Sequence, residues 1–572
     1  MTGSGTFSTH PRRWLALLLV LCGVLYSPIL KNDFAVDDFP AIVDNDLVQK
    51  GVAGIPEIFG QSYYYGYDRR EQANEYRPLA SSLYALERSL FGKENPIPYH
   101  ALSILLYLLV LFSSFTFVQK VADTKTALIA TALFSALPVH SEVVANIKAQ
   151  DDLLAALFVF LSLRFWVEKE RAYFLLLALL SFTFALFSKE AALPLVFLYP
   201  ALDYLKTKKL TFRPLWFLVP IVVYLTVRVF VLEPVDKVEV VNNALAFASG
   251  YGEQSAMGFA FFLHYIRLLL FPLELSWDYS FNHFEMHGWG HWQSLAGLAL
   301  FLGMAVFALR GLKKPELYSW LSFFFLLSIF LYLHILFLLE ATFAERFLFI
   351  PSFAFVLVLA LLANRYGKLI GLYGVLMVVW IALVWMRLPD WKNNNTLFEA
   401  DIEKVPGSIR ANSALAYSIY EKAIDNEEPD MKELERSAEY FRTAINIYGN
   451  DAPTWYNFGM CNLAMGDYTM AELCFIECLR LRPKHTLAFN NMGNIQYLKG
   501  EHDKAKSYYL LAVQADRNNA EAWSNLGAEY LNTRQNDSAY YALEFAMKLD
   551  PKNENAQYNL NIAKKRLGLP SE

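Results

Sequence analysis

About eleven apolar stretches, each long enough to cross a bilayer as an α-helix, recur between the N-terminus and residue 388. They cover residues 14–31, 99–118, 124–140, 151–168, 172–188, 190–206, 213–232, 292–311, 316–339, 346–363 and 367–388. With 55% apolar residues and a mean hydropathy of +0.26, the chain is too apolar for a soluble protein of its length. The sequence therefore predicts an all-α fold that begins with a polytopic membrane helical bundle.

The charges between these stretches predict which side of the membrane each loop faces. Two arginines precede the first stretch, which lacks a small-residue cleavage site, so we expect an uncleaved signal anchor with a cytoplasmic N-terminus. The basic loops fall on that same side if residues 257–272 form a re-entrant or interfacial helix that does not span. The first external loop 32–98, the loop 233–291 and residues 393–572 then face outward. If residues 257–272 do span, residues 393–572 move to the cytoplasm.

A second pattern, with a period of 34 residues, occupies the C-terminal region. Each of its four blocks combines an aromatic residue, an asparagine and an apolar residue: Trp455-Tyr-Asn-Phe-Gly459, Phe489-Asn-Asn-Met-Gly493, Trp523-Ser-Asn-Leu-Gly527 and Gln557-Tyr-Asn-Leu-Asn561. The blocks start 34 residues apart (489−455, 523−489, 557−523). This period is typical of the tetratricopeptide repeat (TPR), whose helical pairs stack into an α-solenoid with a concave surface. We therefore predict a TPR domain over residues 393–572 that holds a polypeptide.

Polar side chains on the first helix of each repeat are candidates to hydrogen-bond a peptide backbone. We expect them on the surface of the solenoid, where they could also brace neighbouring repeats. They are Tyr456, Asn457, Asn490, Asn491, Asn525 and Tyr558.

Two classes of ligand are disfavoured by the composition. The net charge is −5 and no run of basic residues occurs, so we expect no nucleic-acid partner. Histidines recur every fourth residue at His283, His287 and His291, which would align them on one helix face, but Gly288 and Gly290 interrupt such a helix. We therefore predict no metal site.

Carboxylates and cations cluster at the predicted outer ends of the spans. A charge at the centre of a span costs about 2.5–3.5 kcal/mol, so charged residues are expected at the ends of spans. That so many of them lie on the same side of the membrane requires a further explanation. Cations there could hold the phosphate of a lipid-borne substrate, while a carboxylate takes a proton from a water-borne hydroxyl. The residues are Asp37, Asp38, Arg77, His140, Glu142, Lys148, Asp151, Asp152, Lys189, Glu190, Glu345 and Arg346.

Six features in this order resemble the transmembrane and TPR-containing O-mannosyltransferase family. They are Asn32-Asp-Phe-Ala-Val-Asp-Asp38, Tyr76-Arg-Pro78, Leu137-Pro-Val-His-Ser-Glu-Val-Val144, Ser188-Lys-Glu190, Ala344-Glu-Arg-Phe-Leu-Phe-Ile-Pro-Ser352 and the C-terminal repeats. That family is a branch of the GT-C glycosyltransferases. Its enzymes take a sugar from a polyprenyl-phosphate carrier in the membrane lipid and pass it, with inversion, to an acceptor at the outer or lumenal face.

The resemblance implies a GT-C-type domain over residues 1–392, mannose as the sugar, Ser or Thr hydroxyls of exported proteins as acceptors, and no metal or other cofactor. The short run of repeats favours a bacterial inner membrane with the TPR domain in the periplasm. In a eukaryote the equivalent place is the endoplasmic reticulum membrane, with the TPR domain in the lumen.

The resemblance also implies roles for single residues. Asp37 or Asp38 is the general base in the first external loop. Arg346 binds the carrier phosphate. The other residues implied at the phosphate and sugar are Lys189, Arg77, Glu345 and Glu190, and those implied to orient the acceptor or support the site are His140 and Glu142.

Alternatives remain for these residues and for the whole chain. The aspartate pair could cap a turn, Glu345 could only neutralise Arg346, Lys189 could reach the interface alone, and Arg77 could anchor the loop to lipid headgroups. For the whole chain, one rival is a non-catalytic membrane scaffold that assembles partners through its repeats. The other is the same chemistry on a glycan or lipid acceptor.

Overall fold

The computed structural model describes residues 10–67, 75–168, 171–232, 238–425 and 427–570, and over these residues it contains helices and no strand. The predicted all-α class is confirmed. The chain divides into two compact units, residues 1–406 and 407–572, a division that falls later than residue 392. Parts of the predicted loops 32–98 and 233–291 lie outside the described ranges.

The first unit holds seventeen α-helices among its described residues, joined by short 3₁₀ turns. They are α1 Pro11–Tyr26, α2 Asp46–Gln49, α3 Ile55–Ile58, α4 Pro78–Phe91, α5 Ile97–Val121, α6 Thr124–Ser135, α7 Ser141–Ala145, α8 Gln150–Trp166, α9 Ala172–Ser188, α10 Leu198–Thr207, α11 Leu218–Val231, α12 Tyr251–Leu270, α13 Trp292–Arg310, α14 Leu317–Phe330, α15 Phe349–Arg365, α16 Leu369–Arg387 and α17 Asn394–Ile402. Two 3₁₀ segments matter for the site: Glu190–Phe197 follows α9, and Glu345–Leu348 precedes α15.

Within the described ranges, six helical segments have the length and apolar composition of membrane spans. They are Pro11–Lys31, Ile97–Val121, Arg213–Val231, Trp292–Arg310, Glu345–Arg365 and Leu369–Lys392. A seventh arises if α6 and the segment Pro138–Ala145, which bend by 63° relative to each other, count as one broken span. The chain is thus a membrane protein, and the number of eleven spans stays a prediction.

Residues 257–272 coincide with most of α12, which is one continuous helix rather than a broken one. Helix α12 is not among the six span-like segments. It lies close against α13, because a Cβ on Gly297 would collide with the backbone carbonyl of Phe259. Its interfacial placement stays a prediction.

The first external loop is built around the amphipathic helix α4. Pro78 occupies the first helical position, where its missing N–H costs nothing, and Gly92 ends the helix at φ +77°. Ahead of it, the Asn45 side chain caps α2 by accepting hydrogen bonds from the backbone N–H groups of Leu47 and Val48. These caps fix the loop on both sides of the residues that enter the site.

The second unit consists of four helical pairs and a final helix. The pairs are α18 Ile409–Ile424 with α19 Met431–Ile447, α20 Ala452–Ala464 with α21 Tyr468–Leu481, α22 Thr486–Leu498 with α23 His502–Ala515, and α24 Ala520–Asn532 with α25 Asn536–Leu549, followed by α26 Glu554–Leu567. This arrangement confirms the predicted α-solenoid.

Three glycines, one repeat apart, explain how closely the helices of a pair approach. A Cβ on Gly459 would lie 2.7 Å from the Phe475 ring of the partner helix. Gly493 and Gly527 face Tyr509 and Leu543 even more closely. Because each glycine and its large partner both recur every 34 residues, the period specifies the packing of each pair.

Candidate functional site

The centre of the site is Asp151, a fully buried carboxylate in the first turn of α8. It accepts a hydrogen bond from Nη1 of Arg77 at 2.8 Å. The ammonium groups of Lys189 and Lys148 lie 3.5 and 3.7 Å from its oxygens. Three cations from three separate elements therefore meet at one carboxylate, in a position where the helix dipole also favours negative charge.

Arg77 uses all three of its guanidinium nitrogens on protein carboxylates. Nε and Nη2 donate to the two oxygens of Glu190, at 3.0 and 2.5 Å, and Nη2 also donates to Glu75 at 2.9 Å. Burial alone would lower the pKa of Arg77, but Glu190, Glu75 and Asp151 raise it well above its usual value. Arg77 thus ties the start of α4 to α8 and to the segment after α9.

Lys189 is enclosed in the same way. Its ammonium donates to Asp152 at 2.5 Å and lies near Asp151, and its side chain is almost entirely buried. A lysine that reached the membrane interface alone would be exposed at its tip, so the contacts disagree with that alternative.

Arg346 is the most open cation of the set, with 16% of its side chain exposed. Its backbone N–H and its Nη1 donate to the two oxygens of the buried Glu142, at 3.0 and 2.5 Å. Within the described part of the chain, its Nε and Nη2 make no hydrogen bond. The charges of Asp37 and Asp152 also act on this guanidinium. Arg346 is therefore held firmly from one side and open to a ligand from the other.

Glu345 points away from its neighbour Arg346. One of its oxygens accepts hydrogen bonds from the backbone N–H of Ser276, at 2.5 Å, and from the hydroxyl of Tyr279, at 2.8 Å. The two residues therefore do not neutralise each other, and that alternative is wrong. The role that Glu345 does perform is to fasten the loop before α13 to the start of α15.

A narrow cleft opens beside Arg346 and Asp152. Its lining combines apolar side chains, such as Leu195 and Phe347, with these two charged groups. A small cleft that presents a cation beside apolar side chains suits the anionic head of a ligand.

The two aspartates of the first loop differ in their surroundings. Asp38 is buried, and its two oxygens accept backbone N–H groups from Ala35, at 2.9 Å, and from Lys148, at 2.7 Å. Burial raises the pKa of Asp38 to about 7. Asp37 is only half-buried, and its charge acts on Arg346. Asp38 therefore joins the first loop to the segment before α8, while Asp37 lies close enough to Arg346 for its charge to act there.

The backbone just before Asp37 is strained. Val36 has φ +49°, a conformation that is rare for a β-branched residue. The strain is held by a hydrogen bond from the Val36 N–H to the side-chain oxygen of Asn394, at 2.7 Å, and by the adjacent hydrogen bond from the Ala35 N–H to Asp38. Because hydrogen bonds at Ala35 and Val36 hold this strained backbone, the position of the next residue, Asp37, is fixed as well.

His140 lies in an aromatic core rather than at an open surface. One ring nitrogen contacts the Tyr107 hydroxyl at 2.8 Å and the other contacts the Ser352 hydroxyl at 2.9 Å. The rings of Phe134 and Phe349 pack against it at 4.4 and 4.9 Å. His140 thus supports α7, whose Glu142 holds Arg346.

The histidines of the outer loop are placed separately. His287 and His291 stack with ring centroids 4.0 Å apart, while His283 packs against Phe284 and Tyr279. Over the part of the chain that is described, no group of three or more potential ligands is placed to hold a metal ion.

Lys148, Asp151 and Asp152 lie at the centre of the charged cluster, yet no role followed for them from the sequence. The available signal was the pair of carboxylates in the first turn of a predicted span, where they are both tolerated and stabilised. What the sequence did not indicate is that this turn is the meeting point of the other charges.

Two asparagines expected on the surface of the solenoid are buried instead. Asn490 and Asn491 are 2% and 8% exposed. Asn491 donates to the Tyr456 hydroxyl at 3.2 Å, and Asn525 donates to the Asn490 oxygen at 3.0 Å. These side chains brace neighbouring repeats, because stacking encloses the face on which they lie.

Comparisons with known proteins agree with both parts of the chain. Residues 421–549 match the family model described as the middle TPR-like domain of cilia and flagella-associated protein 70. The TPR protein YrrB, described as having an unusual peptide-binding site, is 20% identical, with a TM-score of 0.26 over 30% of this chain and 84% of its own.

Relatives in animals extend over the membrane unit as well. Protein O-mannosyl-transferase TMTC3 of Homo sapiens is 23% identical over 97% of this chain and 70% of its own length. Protein O-mannosyl-transferase F38B6.6 of Caenorhabditis elegans is 24% identical over 72% of this chain and 60% of its own. The relatives that cover most of this chain are therefore glycosyltransferases by name.

Proposed function

Because the chain is a homologue of protein O-mannosyl-transferases over most of its length, we propose that it transfers mannose from a polyprenyl phosphate to Ser or Thr hydroxyls of proteins. The membrane unit carries the chemistry, and the TPR unit recruits the acceptor polypeptide. The lipid-linked sugar is a substrate, so no resident cofactor is invoked.

One observation carries this proposal: Arg346 is fixed by Glu142 and has free hydrogen-bond donors beside a small cleft. A guanidinium can bind a phosphate through two nitrogens at once, and Nε and Nη2 form a suitable pair of this kind. Asp152, which also lines the cleft, would accept hydrogen bonds from sugar hydroxyls.

Asp37 is the proposed general base. Both oxygens of Asp38 accept backbone hydrogen bonds, which assigns Asp38 a structural role, and the charge of the half-buried Asp37 acts on Arg346. The Asp37 carboxylate would take the proton of the acceptor hydroxyl while the hydroxyl oxygen attacks C1 of the sugar. Attack opposite the phosphate inverts C1, and the phosphate leaves as an anion bound to Arg346, so no general acid is required.

The proposed location follows from the charge pattern of the loops. The site and the TPR unit would both face the outer side, which is the periplasm for a bacterial inner membrane, the location we favour, or the lumen for an endoplasmic reticulum. An exported polypeptide reaches that side after translocation, which suits an enzyme that modifies its side chains.

The direct test is sugar transfer by the purified full-length protein in detergent. We expect radiolabelled mannose to move from polyprenyl-phosphate mannose to exported proteins, and Asp37→Asn to lower the rate by about 10²–10⁴-fold. Asp44→Asn is the matched control, since Asp44 is an exposed carboxylate of the same loop. Equal rates for Asp37→Asn and wild type would exclude Asp37 as the base.

The scaffold alternative draws support from Arg77 and Lys189, whose charges are spent on protein carboxylates. It predicts that wild type transfers no sugar from any polyprenyl phosphate, yet still captures a partner protein through its repeats. The acceptor alternative is tested in the same assay, because label would then appear on glycan or lipid rather than on protein.

A further inference from the structure

Lys148 has a rigid backbone position at the heart of the site. Its N–H donates to Asp38 at 2.7 Å and to the Asn146 side chain at 3.1 Å, and its carbonyl accepts from the Tyr84 hydroxyl at 2.5 Å. The backbone from which the Lys148 side chain projects is therefore fixed by Asp38 and by Tyr84 of α4.

The ammonium of Lys148, by contrast, makes no hydrogen bond over the described residues. The residue is 4% exposed, and its nearest carboxylate oxygen, on Asp151 at 3.7 Å, forms a long ion pair with it while also accepting a hydrogen bond from Arg77 at 2.8 Å. The ammonium also lies over the Tyr63 ring, 5.8 Å from the centroid, and its charge acts on Asp38 and Asp152. Its three N–H groups are therefore available to an oxygen ligand.

The charge change in the proposed reaction requires a second cation. A polyprenyl-phosphate sugar is a phosphodiester with one negative charge. When the bond between C1 and the phosphate oxygen breaks, its electron pair stays on that oxygen, C1 bonds to the acceptor oxygen, and the hydroxyl proton goes to Asp37. The product is a phosphate monoester with up to two charges. Arg346 matches the first charge and leaves the second unmatched.

We propose that Lys148 binds the phosphate of the lipid carrier together with Arg346 and takes up the charge that develops on the leaving oxygen. Lys148 donates its backbone N–H to Asp38 and lies 3.7 Å from Asp151, whose neighbour Asp152 lines the cleft together with Arg346. The charges of both cations act on Asp151. Arg77 and Lys189 are committed to carboxylates. The proposal rests on the proposed sugar transfer. It adds a residue that binds the transition state and the product more strongly than the substrate, because both carry more negative charge on the leaving phosphate oxygen.

The experiment compares binding of two lipids to the purified full-length protein: a polyprenyl phosphate monoester and the corresponding phosphate-linked mannose diester. At pH 7.5 we expect wild type to prefer the monoester by about tenfold, since one further charge pair forms in a partly buried site. Lys148→Gln should lose that preference and lower kcat by about 10²–10³-fold with a smaller change in KM for the lipid-linked sugar. Lys148→Arg should retain both. Lys50→Gln, at an exposed ion pair of the same loop, should match wild type.

An unchanged monoester preference in Lys148→Gln overturns the role of Lys148 while leaving the transferase intact. If that variant does not fold, wild type alone decides: the preference must disappear as the pH falls below about 6, where the monoester loses its second charge, and a preference independent of pH overturns the proposal. A wild type that binds neither lipid and transfers no sugar overturns the proposed function together with this inference.

Discussion

The TPR unit and the charged site of the membrane unit use polar side chains in opposite ways. In the solenoid, Asn491 and Tyr456, and Asn525 and Asn490, form contacts that join residues 35 positions apart, about one repeat. In the site, Arg77 reaches Asp151 across 74 positions, and Arg346 reaches Glu142 across 204. Repetition makes local contacts that serve stacking, whereas the site gathers single residues from distant segments and leaves some of their hydrogen-bonding capacity free.

That free capacity divides the cations of the site into two kinds. Arg77 and Lys189 are saturated by carboxylates, so they contribute to folding of the membrane unit. Arg346 and Lys148 are fixed in position but retain N–H groups without partners in the described structure. Stability and ligand binding are therefore carried by different members of one cluster, and substitutions can separate the two.

The largest effect on stability is expected for Arg77→Gln. It leaves Glu190, Glu75 and Asp151 without their shared cation, and breaking a buried pair in this way costs about 3–5 kcal/mol. Thermal unfolding in detergent measures the loss. Arg88→Gln, on the same helix α4, is the control and should change stability by less than about 1 kcal/mol. Equal stability of wild type and Arg77→Gln would contradict a cross-linking role.

Arg346→Gln should affect transfer more than stability. We expect mannose transfer to fall by about 10²–10³-fold, since the charge on the leaving phosphate loses its main partner. The loss of stability should be smaller than in Arg77→Gln, because Arg346 pairs with one carboxylate and Arg77 with three. Arg267→Gln, at an exposed ion pair with Glu274, serves as the control. A large loss of stability with normal transfer in the folded fraction would place Arg346 among the saturated cations.

Gly493→Ala tests the solenoid without touching the site. The added methyl group would collide with the Tyr509 ring, so we expect a loss of about 1–3 kcal/mol in the TPR unit. Gly500→Asn is the matched control, because Gly500 has φ +77° and open space around its Cα, and Asn tolerates that conformation. Transfer to protein acceptors should fall, while binding of the lipid-linked sugar should be unchanged. A parallel loss of lipid binding would show that the two units are not separable.

The last prediction is a pH dependence of stability from Asp38, measured as a slope. The folded protein keeps the proton up to about pH 7, whereas the unfolded chain loses it near pH 4, so this residue makes stability fall as the pH rises between those values. The slope is at most about 1.4 kcal/mol per pH unit. Unfolding measured from pH 4.5 to 7.5 should show a steeper decline in wild type than in Asp38→Asn. Identical slopes would show that Asp38 is ionised throughout.

The fold was predictable because its two signals are local. Apolar stretches of span length predict membrane helices from composition alone, and the period of 34 residues predicts both the helical pairs and the glycine contacts within them. Burial of Asn490 and Asn491 was missed, because a single repeat does not reveal which of its faces the next repeat covers.

The site was predictable as a group of residues but not as a set of contacts. Charge placement brought Asp37, Arg77, Lys189 and Arg346 to one side of the membrane. Sequence adjacency then misled at Glu345 and Arg346, because consecutive residues of a helical turn point in different directions, one to Ser276 and the other to Glu142. Partners that lie more than 70 positions apart leave no local pattern from which the pairing could be inferred.

The glycine contacts of the solenoid lie inside each helical pair: Gly459 meets Phe475, and Gly527 meets Leu543. The closest helix–helix contact of each repeat thus lies within that repeat, so a whole repeat can be gained or lost as a unit. A lineage could lengthen or shorten the solenoid by whole repeats while the charged centre stays unaltered. Under the proposed function, the length of the solenoid that recruits acceptors and the chemistry performed on them would then evolve independently.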